Sequence, residues 1–407
     1  MVVVRRVVVI GVLALCPVAV GAQELTLTLP EALARAREQA PAVVVARARI
    51  DEARGRLAGA RVRFRDSPSL DVSTGPRSTE AGTLMDLDIG FSQVFETGGQ
   101  RAARIAGAEA AIARETASSA DVARLAMRDV ALAFTRGLYA QERVTLLQSN
   151  EELAAEVLRI AERRFAAGDI AVLDANVAKA SAARAKAARH AAEADQLALV
   201  GELKELLRLP PDRTTRLVGN MNPAGPPDPA RLVRNIDNRP DLVALRAEIA
   251  DAESDIRLGR GAARPDLGVG VQVKREEGHR AILGGLTVVF PAFNRGQELQ
   301  ATGAARAFRL RLELETRRDT ALIEMQTAID IVAARQAAVA AFEQSALGGA
   351  TDNESLARRS FAVGQINLSE LLLIRRELQD TRLEYLDRRR EAAEAAVMRD
   401  AASGVWP

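Results

Sequence analysis

Hydrophobic positions recur along most of this chain at the three- to four-residue spacing of a helix, and in two places they switch to strict alternation. The helical spacing predicts one helix from residue 29 to about 64, one from about 99 to 167, and a return helix from about 170 to 209. In the second half it predicts helices at 241–262, at 295–363 and from 368 onward. The fold class is therefore mainly α with a small β part.

Alternation of apolar and polar side chains predicts four strands, at residues 69–74, 84–95, 266–274 and 281–290, with a turn at 277–278. Each is about as long as a tilted membrane-crossing strand, but four strands are too few to close a barrel. Several copies of the chain would have to share one, and Asp86 and Asp88 would then face its pore. A small soluble sheet on one face of the helices is the alternative.

Two similar segments, residues 163–174 and 359–370, interrupt the helical pattern. In each a glycine, Gly168 or Gly364, follows an apolar helical run, which predicts a left-handed helix stop at the tip of a helical hairpin. Asp169 is expected to cap the first return helix. Asn367 has Glu370 three residues on, the spacing of a capping box.

A second pair of segments begins at Pro41 and Pro240, and all such offsets lie between about 195 and 199 residues, which indicates a duplicated unit. The predicted organisation is a signal sequence at 1–22, a first repeat at 23–209, a Pro-rich linker at 210–239, a second repeat at 240–400 and a tail at 401–407. The helix at 31–64 is expected to stack on the return helix. Gly348-Gly349 predicts a kink.

The helix at 99–167 carries two adjacent columns of residues that step by seven, which make a broad apolar face able to contact neighbours on two sides. This favours a ring of coiled-coil helices, with a two-stranded rod as the alternative. The columns are Leu125, Leu132, Tyr139, Leu146, Leu153 and Ile160, and Ala126, Ala133, Ala140, Leu147, Ala154 and Ala161.

The first 22 residues have the charged, apolar and small-residue regions of a secretory signal. Cys16 is the only cysteine, and Leu15 before it is too large for a good lipidation site, so disulfides and cysteine-metal sites are not expected in the mature chain. No later run of about 18 apolar residues predicts a membrane helix. The formal net charge of +2 argues against a nucleic-acid partner.

No enzymatic site is expected, because no nucleophile has a base in reach and no phosphate loop has the required setting. The two histidines, His190 and His279, have no ligand-spaced neighbours, so neither a metal site nor a cofactor is predicted. Asp174 and Glu370 lie in the first turns of helices, where an acidic residue ordinarily compensates the helix dipole.

The order and spacing of several motifs resemble the TolC family of outer-membrane efflux proteins. These motifs are residues 27–33 (LTLPEAL), the two tip segments, residues 239–242 (RPDL) and the duplicated strand pairs. Residues 93–104 (QVFETGGQRAAR) are most similar to the heavy-metal cation branch of the CzcC and CusC type.

The resemblance implies a homotrimer in the outer membrane, with a shared twelve-stranded β-barrel and a long α-helical barrel across the periplasm. It implies docking to a periplasmic adaptor protein and an inner-membrane pump of the RND type. The adaptor-contacting glycines correspond to Gly168 and Gly364, and the constriction carboxylates to Asp174 and Glu370. Leu373 replaces a further acidic position, and Phe361 replaces a gate tyrosine. A periplasmic coiled-coil adaptor, which would need no membrane strands, is the rival function.

Overall fold

The computed structural model describes residues 25–79, 82–221, 235–276 and 279–404, together with residue 406. The predicted signal sequence with Cys16 lies outside these residues. So do the predicted turn at 277–278 and the prolines of the linker at 223, 226, 227 and 229.

The same order of elements occurs twice along the chain. A short helical region is followed by two strands, a long helix and a return helix. The first set comprises β1 (Leu25–Thr28), α1 (Leu29–Gln39), α2 (Pro41–Ala60), β2 (Ser69–Thr79), β3 (Gly82–Phe95), α3 (Gln100–Ala166) and α4 (Val172–Leu207). The second comprises β4 (Thr215–Val218), α5 (Pro240–Ala262), β5 (Asp266–Glu276), β6 (His279–Val289), α6 (Gln297–Ala341), α7 (Leu347–Ala362) and α8 (Leu368–Ser403).

The prediction of one helix from residue 29 to about 64 is wrong at two points. The start is correct, because Thr28 and Glu31 form a reciprocal capping box. The helix then stops at Ala40, whose ψ is 138°, and α2 begins with Pro41. The proline ring disfavours a helical conformation in the residue before it, which explains the break. Helix α2 ends at Ala60, short of Phe64.

Helix α3 is continuous for 67 residues, about 100 Å at the usual helical rise. It contacts α1, α2, α4, α5 and α8, so the two-stranded rod is wrong. In its second heptad column Ala133, Ala140 and Leu147 are buried within the chain. The whole column that starts at Leu125 is half-buried. One face of α3 is thus filled by its own chain, and the adjacent face is only partly covered.

Helix α5 packs between the two halves, against α3 on one side and α6 on the other. Close approach is possible because Gly303 of α6 has no side chain. A Cβ there would lie 2.9 Å from Ile256 Cγ1 and 3.1 Å from the carbonyl oxygen of Ala252.

The four strands predicted from alternation form one antiparallel sheet in the order β2-β3-β5-β6. All four are present, and β2 extends to Thr79, beyond the predicted end. The central pair, β3 with β5, joins the two halves, with Phe91 opposite Val271. Because opposite residues share a face, the register aligns the apolar positions of all four strands on one side, and that side is exposed in the single chain.

A second, smaller sheet was not predicted from the sequence. Strand β1 pairs in parallel with β4, which lies inside the segment predicted to be a linker. The side-chain amide of Gln141 accepts from the backbone N–H of Leu217 at 3.0 Å and donates to its carbonyl oxygen at 3.2 Å. Leu27 and Leu217 are buried in a core cluster with Phe134. The linker is thus fastened to the middle of α3.

The second long helix is interrupted, as the glycine pair predicted, but at a different place. A π-helical turn, Phe342–Ala346, separates α6 from α7, and Gly348 and Gly349 follow it inside α7. Insertion of an extra residue into the helical hydrogen-bond pattern at this turn accounts for the interruption. Within the described residues, no helix combines the length and apolar character that a bilayer crossing requires.

Candidate functional site

The two helical hairpin tips have the same backbone geometry. Gly168 has φ 81° and Gly364 has φ 79°, the left-handed conformation predicted for both. After each glycine the next N–H bonds back to the start of the turn, from Asp169 to Arg164 O at 2.8 Å and from Gln365 to Ser360 O at 2.8 Å. These are Schellman motifs, which satisfy the last carbonyls of α3 and α7.

The caps of the two return helices differ. Asn367 caps α8 as predicted, accepting from the Glu370 N–H at 2.8 Å, while Glu370 accepts from the Asn367 N–H at 2.9 Å. The prediction that Asp169 caps α4 is wrong, because Ala171 is the N-cap and no side chain caps this end. Asp169 lies directly after the glycine, where its N–H completes the Schellman motif.

The tips contact each other through Phe361. Its ring packs on a cluster that includes Val157, Ala161 and Leu368, and the Arg164 guanidinium lies 4.7 Å from its centroid. A cation over an aromatic face is attracted by the ring quadrupole. Phe361 therefore joins the α3–α4 hairpin to the α7–α8 hairpin.

The two predicted constriction carboxylates have different surroundings. Asp174 is half-buried in the first turn of α4, with no hydrogen bond or ion pair to its carboxylate among the described residues. Glu370 is exposed and bonded to the N-cap backbone of α8. Leu373, three residues further on, is 67% exposed. Within one chain the two carboxylates remain on separate helices.

A groove of about 490 Å³ lies between the hairpins, close to the tips. Arg375 lines it, and its Nη1 donates to the carbonyl oxygen of Leu153 at 3.3 Å. Burial, with the nearby Arg358 charge, lowers the pKa of Arg375. Sequence reasoning missed this residue, because one arginine among many in α8 carries no local signal of a contact 222 residues away.

Asp86 and Asp88 lie on the polar, half-buried face of the sheet. Arg77 donates to Asp86 through Nε at 2.7 Å, and Lys274 lies 3.5 Å from Asp88. Cationic side chains from neighbouring strands therefore balance both carboxylates. Their predicted exposure to a pore stays a prediction.

Arg239 of the RPDL segment is the centre of a charge network at the start of α5. Arg239 is 2% exposed and donates to Asp241 at 2.9 Å and to Glu324 of α6 at 3.0 Å. Burial alone would raise the pKa of Asp241, but the hydrogen bond and charge of Arg239 outweigh it and lower that pKa. This network connects the start of α5 to α6.

The described ranges contain no group of three or more His, Cys, Asp or Glu side chains placed to hold a metal ion. His190 Nδ1 lies 3.1 Å from Glu193 on the same exposed helix face. This pair is an ordinary surface contact.

The fold resembles that of solved outer-membrane channel proteins. The structure superposes on CusC with a TM-score of 0.76 at 16% identity, covering 93% of this chain and 92% of that one. It superposes on the outer-membrane protein VceC of Vibrio cholerae with a TM-score of 0.75 at 18% identity, covering 93% and 96%. At these identities the likeness establishes the fold.

Sequence comparison points to the same class of protein. Residues 32–207 match the outer membrane efflux protein family. The chain is also 27% identical over 365 residues to the cobalt-zinc-cadmium resistance protein CzcC of Cupriavidus metallidurans, covering 88% of this chain and 86% of that protein. These matches agree with the resemblance of the motifs to the TolC family of outer-membrane efflux proteins and support the function of a channel component of an efflux system. They favour this function over the rival, a periplasmic adaptor.

Proposed function

We propose that three copies of this chain form one duct through the outer membrane, with twelve strands closed into a barrel. The observation that carries the proposal is the sheet itself. Strands β2 and β6 have no partner on their outer sides within the described residues, and the apolar face is exposed. In lipid every backbone group needs a partner, so sheets of this kind are stable only when they close.

The helices of the three copies then form a second barrel that extends into the periplasm. The half-covered column of α3 starting at Leu125 supports this, because it offers a second face to a neighbouring chain. Gly168 and Gly364 lie at the exposed tips, where a periplasmic adaptor and, through it, an inner-membrane RND-type pump would dock.

The proposed cargo is heavy-metal cations. The name of the relative CzcC supports this, as do the acidic positions of the chain. Three copies of Asp174 and Glu370 would place six carboxylates around the periplasmic mouth, with Phe361 beside them. Asp86 and Asp88 would line the strand pore, where Arg77 and Lys274 offset their charge. Rings of acidic side chains raise the local cation concentration in a narrow opening. The duct is passive, and the pump supplies the energy.

The test is planar-bilayer conductance of the purified protein, after cross-linking in mild detergent has established its copy number. Wild type is compared with the double variant Asp174→Asn, Glu370→Gln at low salt, where screening is weak. We expect trimers in both proteins and a lower cation preference in the double variant.

Asp212→Asn with Glu202→Gln is the matched control, because both residues are exposed and lie outside the tips. This control should keep the wild-type preference. An unchanged preference in an intact Asp174, Glu370 variant would show that these carboxylates serve the helix ends alone. A stable membrane-inserted monomer would contradict the trimer.

A further inference from the structure

Two short segments flank the sheet where its strands meet the helices. Residues 61–65 (RVRFR) lead from α2 toward β2, and residues 290–296 (FPAFNRG) lead from β6 to α6. The strand registers put both at the same end of the sheet, since Ser69 lies opposite Ser92 and Asp266 opposite Val289. We call six of their residues the junction band: Arg63, Phe64, Arg65, Phe290, Phe293 and Arg295.

The phenylalanines of the junction band continue the apolar face of the sheet. Phe95, which shares that face through its partner Leu267, meets the ring of Phe64 edge-on at 5.4 Å. Phe290 follows Val288 at the spacing of two residues that keeps a side chain on one face. Phe64, Phe290 and Phe293 are 43%, 73% and 94% exposed. Among the described residues, the rings of Phe290 and Phe293 are therefore largely uncovered, and that of Phe64 is partly covered by Phe95.

The arginines of the junction band are exposed and lack a carboxylate partner among the described residues. The two segments and the next residue contain four arginines against one acid, Asp66. Arg63 lies over the ring of Phe64 at 5.7 Å. The side chain of Gln297 fixes the other segment, accepting from the Arg295 N–H at 2.6 Å and donating to the Phe293 carbonyl oxygen at 2.8 Å. The band is therefore positively charged, aromatic and held in place.

The two halves of the band lie at opposite edges of the sheet, beside β2 and β6. This step relies on the proposed trimer. When three sheets close into one barrel, β6 of one chain pairs with β2 of the next. Phe290, Phe293 and Arg295 of one chain then come next to Arg63, Phe64 and Arg65 of its neighbour. Each of the three seams thereby gains a complete junction band.

We propose that each seam binds the headgroup of an anionic phospholipid from the periplasmic leaflet. Aromatic side chains favour the headgroup level of a bilayer, where their apolar rings contact acyl chains. Guanidinium groups bind phosphate oxygens in a bidentate fashion, and each basic side chain near an anionic surface adds to the attraction. A phosphate that contacts arginines of two chains also links those chains. The bound lipid should therefore stabilise the trimer as well as its insertion.

The test is native mass spectrometry of the full-length protein released from nanodiscs of phosphatidylcholine with and without phosphatidylglycerol. Wild-type trimers should retain phosphatidylglycerol in preference to phosphatidylcholine, up to three molecules each. The variant Arg63→Gln, Arg295→Gln should bind phosphatidylglycerol about thirtyfold more weakly, as expected for the loss of two interfacial charges. Arg275→Gln with Arg280→Gln is the control, because these exposed arginines lie at the opposite end of the sheet.

Every outcome of this experiment either supports the proposed lipid site or contradicts it. Preferential retention that only the junction-band variant loses supports the site, as does dissociation of that variant at lower collision energy than the control. Equal loss in both variants would show unspecific charge attraction and overturn it. Wild-type trimers that show no preference for phosphatidylglycerol would overturn the lipid site and leave the trimer standing. A wild-type monomer in the bilayer would overturn the trimer and, with it, the seam.

Discussion

The two halves of the chain share a backbone plan, but they differ at corresponding positions in how their helices are fastened. The first return helix starts at Ala171, which cannot cap it, whereas its counterpart Asn367 does. Upstream, Ala40 and Ala42 of the first half correspond to Arg239 and Asp241 of the second, which are bonded to each other. Glycine and proline occupy the same positions in both halves, whereas at these corresponding positions a bonded polar side chain occurs only in the second half.

This difference predicts that the two return helices differ in how easily their first turns open. A helix end without a cap loses less when its first turn opens, so the α4 end should open more easily than the α8 end. The second half is also the one with the interrupted long helix at Phe342–Ala346. The polar contacts of the second half, Arg239 with Glu324 and Asn367 with Glu370, therefore lie on either side of this irregular turn along the chain.

The largest expected effect comes from the feature that the halves share. Gly168→Leu or Gly364→Leu should abolish efflux while trimers still form. A side chain in the left-handed conformation costs about 1–2 kcal/mol. The added leucine would also project into the open space at the tip, since no atom lies within 4 Å of the added Cβ, and would obstruct the proposed adaptor contact. The measurement is export of the proposed heavy-metal cargo by cells that also carry the proposed pump and adaptor.

Gly201→Leu is the control for both tip variants, because Gly201 is exposed within α4 and equally open around its Cβ. It should export normally. Wild-type export by both tip variants would remove the tips from the docking surface.

The next largest effect tests the buried ion pair of Arg239 and Asp241, which has no counterpart at Ala40 and Ala42 of the first half. Asp241→Asn should destabilise the protein by about 3 kcal/mol at pH 7, because it leaves the buried charge of Arg239 short of a partner. The lowered pKa of Asp241 means that its contribution is present above the unfolded value of about 4 and is lost as the pH falls through the folded pKa. Thermal unfolding of wild type and variant should therefore converge in acid.

Asp51→Asn is the matched change in the first half, where an exposed pair with Arg54 should contribute less than about 0.5 kcal/mol. Similar losses for Asp51→Asn and Asp241→Asn would contradict the contrast between the halves.

The smallest expected effect comes from exchanging the N-cap residues of the two return helices, α4 and α8. Asn367→Ala should cost about 1 kcal/mol in the first turn of α8, and Ala171→Asn should gain up to about as much in α4. The gain is possible because Ala171 already has extended angles, φ −73° and ψ 154°, close to those of Asn367. Amide hydrogen exchange in the first turns of both helices measures the two changes. If Ala171→Asn leaves amide exchange in α4 unchanged, the absence of a capping side chain at Ala171 does not account for the difference in stability between the two helix starts.

Features with a local cause were predictable from the sequence. The left-handed glycines, the capping box of Asn367 and Glu370, the length of α3 and the alternation in β3 all depend on residues within a few positions of each other. Pro41 was also visible, and its break was missed because the apolar spacing continues through it.

Features with a distant cause were not predictable. Strand β4 is four residues long and exists because β1 and Gln141 hold it. The contacts of Arg239 with Glu324 and of Arg375 with Leu153 were not predictable, because the partners are distant in sequence and meet only in the folded chain. The error at Asp169 was of another kind, since aligning the two tips places Ala171, not Asp169, opposite Asn367.

The pairing of β3 with β5 has a consequence for how the molecule reaches its native state. Partners such as Phe95 and Leu267 are separated by most of the first half and the linker. Closing so long a loop adds little to the equilibrium cost, since each doubling of length costs about 0.6 kcal/mol. Contacts this distant nevertheless slow folding, because loop entropy is lost before the contact compensates it. Until β5 arrives, β3 presents an open edge to any other strand, so assembly should depend on factors that shield it.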